Sequence, residues 1–429
     1  MGIENGTISF SSASSHGIVN TGSLTVASNA TISGTATEYS NTSVIANIGG
    51  TLTTAGTLES TANHGIVTYG GTVEVTGGEI TAKYTSEDGR NRGSGILIFN
   101  RGYDNNSDGA NVTISGGTID CSIYAASTNN TTSGGNDGSN LTITGGTILS
   151  DYTAIYWPSS GTLTIGTDGS TTGPTITSTH GSAVEICSGT LNIYGGTLNG
   201  GTEMTESDKI ETTEDWVEAF RSSSGSSSIG DAVTVISRRG NGYNSAALEV
   251  NIEGGTFTSG QNYGLRYMDC NQTTSAAQIT QEVSVAVSDG NFSGKIAAVD
   301  AAFVAEEDQG IISGGTFSTD VSEYCAPGLV AESNGEGAFS ITTDSDMTVQ
   351  VQSADGAVKG AYASLADAVA NAASGDILVL LADQVPTNEI TIESGKELTL
   401  DLAGHKIIPK NVSIIVKGGL TAVSYTHLR

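Results

Sequence analysis

Two charged residues stand in equivalent short strands and are the best placed for chemistry. Side chains alternate between the two faces of a strand, so inward Val184 and Leu265 would put Glu185 and Arg266 on the outer face. A carboxylate and a guanidinium on one outer face can hydrogen-bond a sugar. We therefore take Glu185 and Arg266 as candidate carbohydrate-binding residues. No further carboxylates cluster beside them, so a purely structural role is the alternative.

Aromatic residues mark a second candidate site for carbohydrate. The connection after the first strand of each repeat is short at 157–161 and 187–189, and long in the flanking repeats. If the repeats stack in register, the long loops would project on both sides of the short ones and form the walls of a depression. We call this depression the saddle. An aromatic floor flanked by polar groups suits a sugar ring. A partly packed Trp beside a proline is the alternative. The predicted floor is Tyr156 and Trp157, the walls carry Tyr103 and Tyr243, and the long loops are 100–111, 124–140, 237–248 and 268–282.

Histidines and motifs give no further chemistry. His16, His64 and His180 each precede a glycine at one place in the repeat, but they belong to well-separated repeats, so a turn role is favoured over a metal site. P-loop, GxSxG and HExxH sequences are absent. The acidic stretch 203–220 holds seven carboxylates that could recruit calcium, yet it lacks the D-x-D-x-D-G loop, so a solvated insert is expected. No catalytic residue, metal or cofactor is predicted.

An internal repeat must position these residues. One phrase combines apolar–polar alternation, a Gly-Gly pair and a second short alternation, which is typical of two strands joined by a tight turn. A third strand precedes each phrase. A single three-strand repeat cannot bury its own apolar side chains, but stacked repeats share one core. Crossovers between parallel strands are right-handed, so we predict an all-β, right-handed parallel β-helix. The phrase begins at Val73, Val112, Leu141, Leu191, Val250 and, in a looser form, Gly310.

These Gly-Gly-Thr repeats resemble the pectin-lyase-like β-helix superfamily, and in particular the repetitive surface proteins of bacteria. The resemblance covers most of residues 1–320. It implies a surface scaffold or, in lyases of this fold, an outward basic residue that abstracts a proton beside calcium-binding carboxylates. By that resemblance Arg266 would be the base and Glu185 an acid partner. The Asp-Asp and Gly-His-Gly signatures of polygalacturonases are missing from the sequence.

Four segments make up the predicted domain organisation. Residues 1–320 form the repeat domain and 321–346 a cap or linker. Residues 347–421 begin a second β-helix, with a helix at 364–373 that Ser364 caps. Residues 422–429 fit no repeat and are predicted to be a non-native tail. With a start that is already repeat-like, this predicts an internal fragment of a larger secreted protein.

Charge restricts the partners. The 429 residues include 45 acidic and 16 basic side chains, a formal net charge of −29. Such a polyanion repels nucleic acid and anionic membranes. No apolar run could span a bilayer and no signal peptide is visible. The four cysteines are too dispersed to signal a zinc site or a disulfide framework. We expect a non-enzymatic extracellular or bacterial cell-surface scaffold or adhesin that contacts glycans; the alternative is a polysaccharide lyase or glycoside hydrolase.

Overall fold

The protein is all-β, with parallel sheets and one short α-helix in the described residues of the computed structural model. The chain forms two compact units, residues 1–285 with 290–305, and residues 286–289 with 306–429. None of the described helices is long and apolar enough to cross a membrane. The structure describes residues 1–11, 15–35, 42–61, 64–85, 91–99, 109–129, 138–170, 172–203, 226–227, 229–237, 247–269, 281–304 and 309–423.

Most strands of the first unit are short, and they follow one another in a regular order. The first of them are β1 (Gly2–Ser11), β2 (Ile18–Asn20), β3 (Ser23–Thr35), β4 (Ser43–Ile48), β5 (Thr51–Thr54), β6 (Thr57–Ser60), β7 (His64–Tyr69), β8 (Gly71–Val75), β9 (Glu79–Ala82), β10 (Tyr84–Thr85), β11 (Asn91–Arg92), β12 (Ile96–Phe99), β13 (Ala110–Ile114) and β14 (Thr118–Cys121). They continue with β15 (Ala126–Asn129), β16 (Asn140–Ile143), β17 (Thr147–Ser150), β18 (Ile155–Trp157), β19 (Thr162–Ile165), β20 (Thr175–Ser178), β21 (Val184–Ile186), β22 (Gly189–Ile193), β23 (Thr197–Gly200), β24 (Val233–Ser237), β25 (Leu248–Ser259), β26 (Tyr263–Asp269), β27 (Val283–Gly294) and β28 (Ala297–Phe303).

Apart from the antiparallel pair β10–β11, the strands of the first unit pair in parallel with their equivalents in neighbouring repeats. Leu163 of β19 lies in register with Leu141 of β16 and with Leu191 of β22. The strand that precedes each Gly-Gly phrase belongs to a separate sheet, whose described strands are β2, β4, β7, β12, β15, β18, β21, β24, β26 and β28. The predicted three-strand repeat therefore folds into a solenoid-like arrangement of parallel strands.

The core of the first unit consists of columns of identical or similar apolar side chains. Alternation along each strand turns one aliphatic residue in two inward, and parallel register stacks it on its equivalent in the next repeat. Burial of each such side chain contributes about 1.5–3 kcal/mol. Three fully buried columns are Leu141, Leu163 and Leu191; Ile143, Ile165 and Ile193; and Ile148, Ile176 and Leu198.

The second position of the Gly-Gly pair requires a residue without a side chain. Its φ is +75° at Gly78 and +109° at Gly196, in the region that L-residues rarely adopt. A Cβ on Gly78 would also lie 2.1 Å from the carbonyl oxygen of Gly56 in the preceding repeat. The pair therefore sets both the turn and the close approach of neighbouring repeats.

The second unit contains the predicted helix and the predicted strands beside it. The hydroxyl of Ser364 accepts a hydrogen bond from the Asp367 amide at 3.2 Å, which caps α1 (Leu365–Asn371). Leu365, Ala368 and Val369 of this helix are buried. The strands are β29 (Thr316–Phe317), β30 (Leu329–Ser333), β31 (Phe339–Thr343), β32 (Val349–Gln352), β33 (Val358–Tyr362), β34 (Ile377–Leu380), β35 (Ile390–Ile392), β36 (Glu397–Asp401), β37 (Ile414–Val416) and β38 (Gly419–Val423).

Strand β38 extends across the boundary predicted between residues 421 and 422. Ala422 and Val423, predicted to begin a tail outside the repeats, pair with Leu400 and Asp401 as part of β38. Residues 424–429 lie outside the described residues, as do 204–220 of the acidic stretch, so the expectation of a solvated insert stays a prediction.

Candidate functional site

Glu185 and Arg266 lie in one column of side chains on the sheet formed by β18, β21, β24, β26 and β28. Tyr156 is in register with Glu185, Glu185 with Thr234, and Thr234 with Arg266. Arg266 is then in register with Asp300. The parallel register thus places both predicted charged residues on one face, two strands apart, or about 9.6 Å at the usual strand spacing.

Glu185 is completely buried and its carboxylate is bound by the chain itself. The hydroxyl of Ser226 donates to Oε2 at 2.8 Å and the hydroxyl of Ser227 donates to the same oxygen at 2.7 Å. The Ser227 amide donates to both carboxylate oxygens, at 3.0 and 2.8 Å. Hydrogen bonds of this kind to a charged acceptor are the strong ones. Glu185 therefore anchors the chain at 226–227 against β21.

Tyr156 is covered by an apolar cluster on the same face of the sheet. Only 5% of the residue is exposed, and its ring stacks on that of Tyr124 with centroids 5.3 Å apart. The cluster around these rings consists of Cys187, Ile229, Ile236 and Met268. The expected open aromatic floor is therefore absent at Tyr156, because the segment leading into β24 packs over the outer face.

Trp157 is fully buried, so the expectation that it lines an exposed saddle is wrong. Its indole Nε1 donates to the carbonyl oxygen of Gly161 at 3.2 Å, and it stands in register with buried Ile186. The physical reason is the alternation itself: with Ile155 inward, the residue two positions later must also point inward. The predicted walls, Tyr103 and Tyr243, lie outside the described residues.

Arg266 lies between two carboxylates and over an aromatic ring. Its Nε is 3.5 Å from Oδ2 of Asp231 and 3.5 Å from Oδ2 of Asp300, and its side chain is 2% exposed. Its guanidinium carbon is 4.2 Å from the centroid of the Tyr263 ring. This cluster, Asp231, Tyr263, Arg266 and Asp300, is called the arginine cluster below. The two carboxylates and the ring together compensate a buried charge that would otherwise be costly.

Asp231 and Asp300 are the carboxylates of the arginine cluster that the sequence analysis did not identify, and Asp231 is the more deeply buried of the two. Its Oδ2 accepts from the Thr234 hydroxyl at 3.0 Å and its Oδ1 from the Tyr263 amide at 3.3 Å. Burial raises its pKa from 3.8 to about 6; Asp300 adds to the rise, whereas Arg266 and the two hydrogen bonds oppose it. Aligning the strand of Asp300 with that of Arg266 could have found Asp300. Asp231 precedes its strand and carries no such signal.

The arginine cluster satisfies the charge of Arg266 internally. A guanidinium remains protonated in proteins, and this one is enclosed with its carboxylate partners, away from any polymer in solvent. The same holds for Glu185, whose acceptor oxygens face Ser226 and Ser227. The arrangement fastens strands and connections together.

The His-Gly positions lie beside the same sheet: His16 and His180 are in connections between strands, whereas His64 is the first residue of β7 and not part of a turn. Nδ1 of His16 lies 3.0 Å from the Ser43 hydroxyl, and Nδ1 of His64 accepts from the Ser94 amide at 3.2 Å. Burial lowers the pKa of His64 to about 4, with a further contribution from His16, so this ring is neutral at pH 7. The ring of His180 packs against Tyr152, with centroids 5.7 Å apart. Across the described residues, no three His, Cys, Asp or Glu side chains group to hold a metal ion.

Comparison with known proteins adds no relative: no family model, no curated protein and no solved structure matches the chain.

Proposed function

We propose that the first unit is a right-handed parallel β-helix of the pectin-lyase-like kind that serves as a non-enzymatic scaffold or adhesin outside a bacterial cell and contacts glycans. The repeat supports this proposal, because uniform apolar columns run through successive repeats beneath polar, outward-facing positions. Stacked repeats build long, rigid surfaces whose stability adds up repeat by repeat.

One observation carries the non-enzymatic part of the proposal. Glu185 and Arg266, the charged residues of the candidate site, are buried and bound to Ser226–Ser227 and to Asp231 and Asp300. A lyase needs a base that reaches the substrate proton, and a hydrolase needs carboxylates beside the scissile bond. Buried and internally bound groups suit a scaffold better.

The placement outside the cell rests on composition and on the resemblance of the repeats. A net charge of −29 keeps a long repetitive surface soluble and apart from anionic polymers. Uncharged glycans remain as partners that this surface does not repel.

The test combines a binding assay with a turnover screen. Wild-type protein is incubated with uronate and neutral polysaccharides, with and without calcium, and both retention and new chain ends are measured. We expect retention on at least one polysaccharide and no new chain ends. Turnover that disappears in Arg266→Gln, with an unchanged circular dichroism spectrum, would replace the scaffold by an enzyme. Absence of both retention and turnover would leave only a spacer and would overturn glycan contact.

A further inference from the structure

A grid of uncharged polar side chains covers four consecutive repeats of the first unit. It is formed by the outward residues of β13, β16, β19 and β22, two per strand. Parallel register aligns them in two columns, without a slip in any of the four strands. We call this surface the hydroxyl–amide face. Its columns are Asn111, Asn140, Thr162 and Thr190, and Thr113, Thr142, Thr164 and Asn192.

The hydroxyl–amide face is rigid because each strand is held from behind. The residues between the two columns, Val112, Leu141, Leu163 and Leu191, are at most 1% exposed and form one apolar column. Neighbouring strands lie about 4.8 Å apart and the two columns about 6.6 Å apart. The grid therefore offers polar groups at a fixed spacing over about 14 Å along the stack.

The threonine hydroxyls of this face have their hydrogen-bonding capacity available. Within the described residues, the hydroxyls of Thr142, Thr164 and Thr190 bond to no other protein group, and the same is true of Thr113 and Thr162. The amides are more engaged. Asn140 Nδ2 donates to Asn111 Oδ1 at 3.1 Å and to the Gly138 carbonyl at 3.2 Å, and Asn140 Oδ1 accepts from the Thr162 amide at 3.3 Å. Asn192 Oδ1 accepts from Asn251 Nδ2 at 3.0 Å, so the Nδ2 groups of Asn111 and Asn192 remain available. All eight side chains are partly or fully exposed. Each free hydroxyl can both donate and accept.

The chemistry of the face selects one kind of partner. The grid carries no cation for phosphate or sulfate, no carboxylate for a metal ion and no aromatic or aliphatic anchor for a protein interface or a membrane. The chain as a whole carries −29 charges, yet these eight positions carry none. An uncharged ligand rich in hydroxyl groups, repeating along its length, matches such a surface in charge and in hydrogen bonding.

We propose that the hydroxyl–amide face binds an uncharged polysaccharide chain, with the threonine hydroxyls and asparagine amides bonding the hydroxyls of successive sugars. This inference rests on the proposed function and assigns its glycan contact to a surface other than the predicted saddle. Many weak bonds along a regular grid give avidity without a deep pocket.

The test compares isosteric changes on two equivalent surfaces. Thr142→Val with Thr164→Val removes two adjacent hydroxyls of the face. Thr147→Val with Thr175→Val makes the same change on the neighbouring row of strands, where these two residues are also in register. Valine keeps the shape and strand preference of threonine, so both double variants should fold, as circular dichroism will verify.

Binding is measured by affinity electrophoresis in soluble starch, mannan and xylan and by co-sedimentation with cellulose, with polygalacturonate as the charged control. We expect at least one neutral polymer to retain the wild type, an affinity about tenfold weaker for the Thr142/Thr164 variant, and a change of less than about twofold for the Thr147/Thr175 variant. Retention of both variants equal to wild type would overturn the assignment to this face and leave the proposed function standing. Failure of the wild type to bind any neutral polymer would overturn both.

Discussion

Arg266 of β26 and Asp231, which precedes β24, form a buried ion pair with 3.5 Å between Nε and Oδ2. Neither side chain is more than 2% exposed. Asp231 nevertheless has a pKa raised from 3.8 to about 6, because the cost of burying its charge exceeds the attraction of Arg266. The arginine cluster therefore links the stability of the first unit to pH.

We expect stability to fall as pH rises through the pKa of Asp231. An acid with a higher pKa in the folded chain binds its proton more tightly when folded. The contribution of Asp231 to the free energy of unfolding is thus fully present below about pH 4. It falls by roughly 3 kcal/mol as the pH rises to about 6. Urea unfolding of wild type and Asp231→Asn at pH 4 and pH 7 isolates this effect, because other carboxylates cancel in the difference. A difference that does not change with pH would contradict the prediction.

Glu185 should contribute to stability through the bonds that it accepts from Ser226 and Ser227. Glu185→Gln removes the charge and presents an NH₂ group to these donors, which should lower the free energy of unfolding by about 1–3 kcal/mol. Glu59→Gln is the matched control, since Glu59 is exposed on β6 and its replacement should cost less than about 0.5 kcal/mol. Equal unfolding midpoints for the two variants would refute the anchoring role.

The two glycines of one turn should respond differently to alanine. Gly78→Ala places a Cβ at positive φ and against the Gly56 carbonyl, and should destabilise the protein by about 1–3 kcal/mol. In Gly77→Ala the new Cβ meets nothing closer than 3.8 Å, so its unfolding midpoint should stay near that of the wild type. Thermal unfolding of both variants checks this, and equal loss in both would exclude φ as the cause.

Trp157 should be shielded from solvent. In a Trp216→Phe background the remaining indole belongs to Trp157, which is fully buried. Its emission should lie at short wavelength, and acrylamide should quench it several-fold less in the folded protein than in guanidinium. Quenching that is equally strong in both states would contradict burial and restore an exposed position for Trp157.

Local patterns in the sequence were sufficient to predict the three-strand repeat, the Gly-Gly turn and α1. The strand period of two, the positive φ required at Gly196 and the cap at Ser364 are properties of a few adjacent residues. Side chains alternate along β18, and Ile155 points inward. The same alternation therefore places Trp157, two residues later, in the core as well.

Only the tertiary structure decided what happens to the outer face of β21, β24 and β26. Alternation assigns Glu185 and Arg266 to that face, but it cannot tell whether solvent or another segment covers it. Residues 226–227 and 229–231 pack over this sheet, supply Ser226, Ser227 and Asp231, and bury both charges. Contacts between distant segments depend on the path of the connecting chain, which no local period encodes. Burial and the pKa of Asp231 follow from that path, whereas the columns of the repeat follow from the sequence alone.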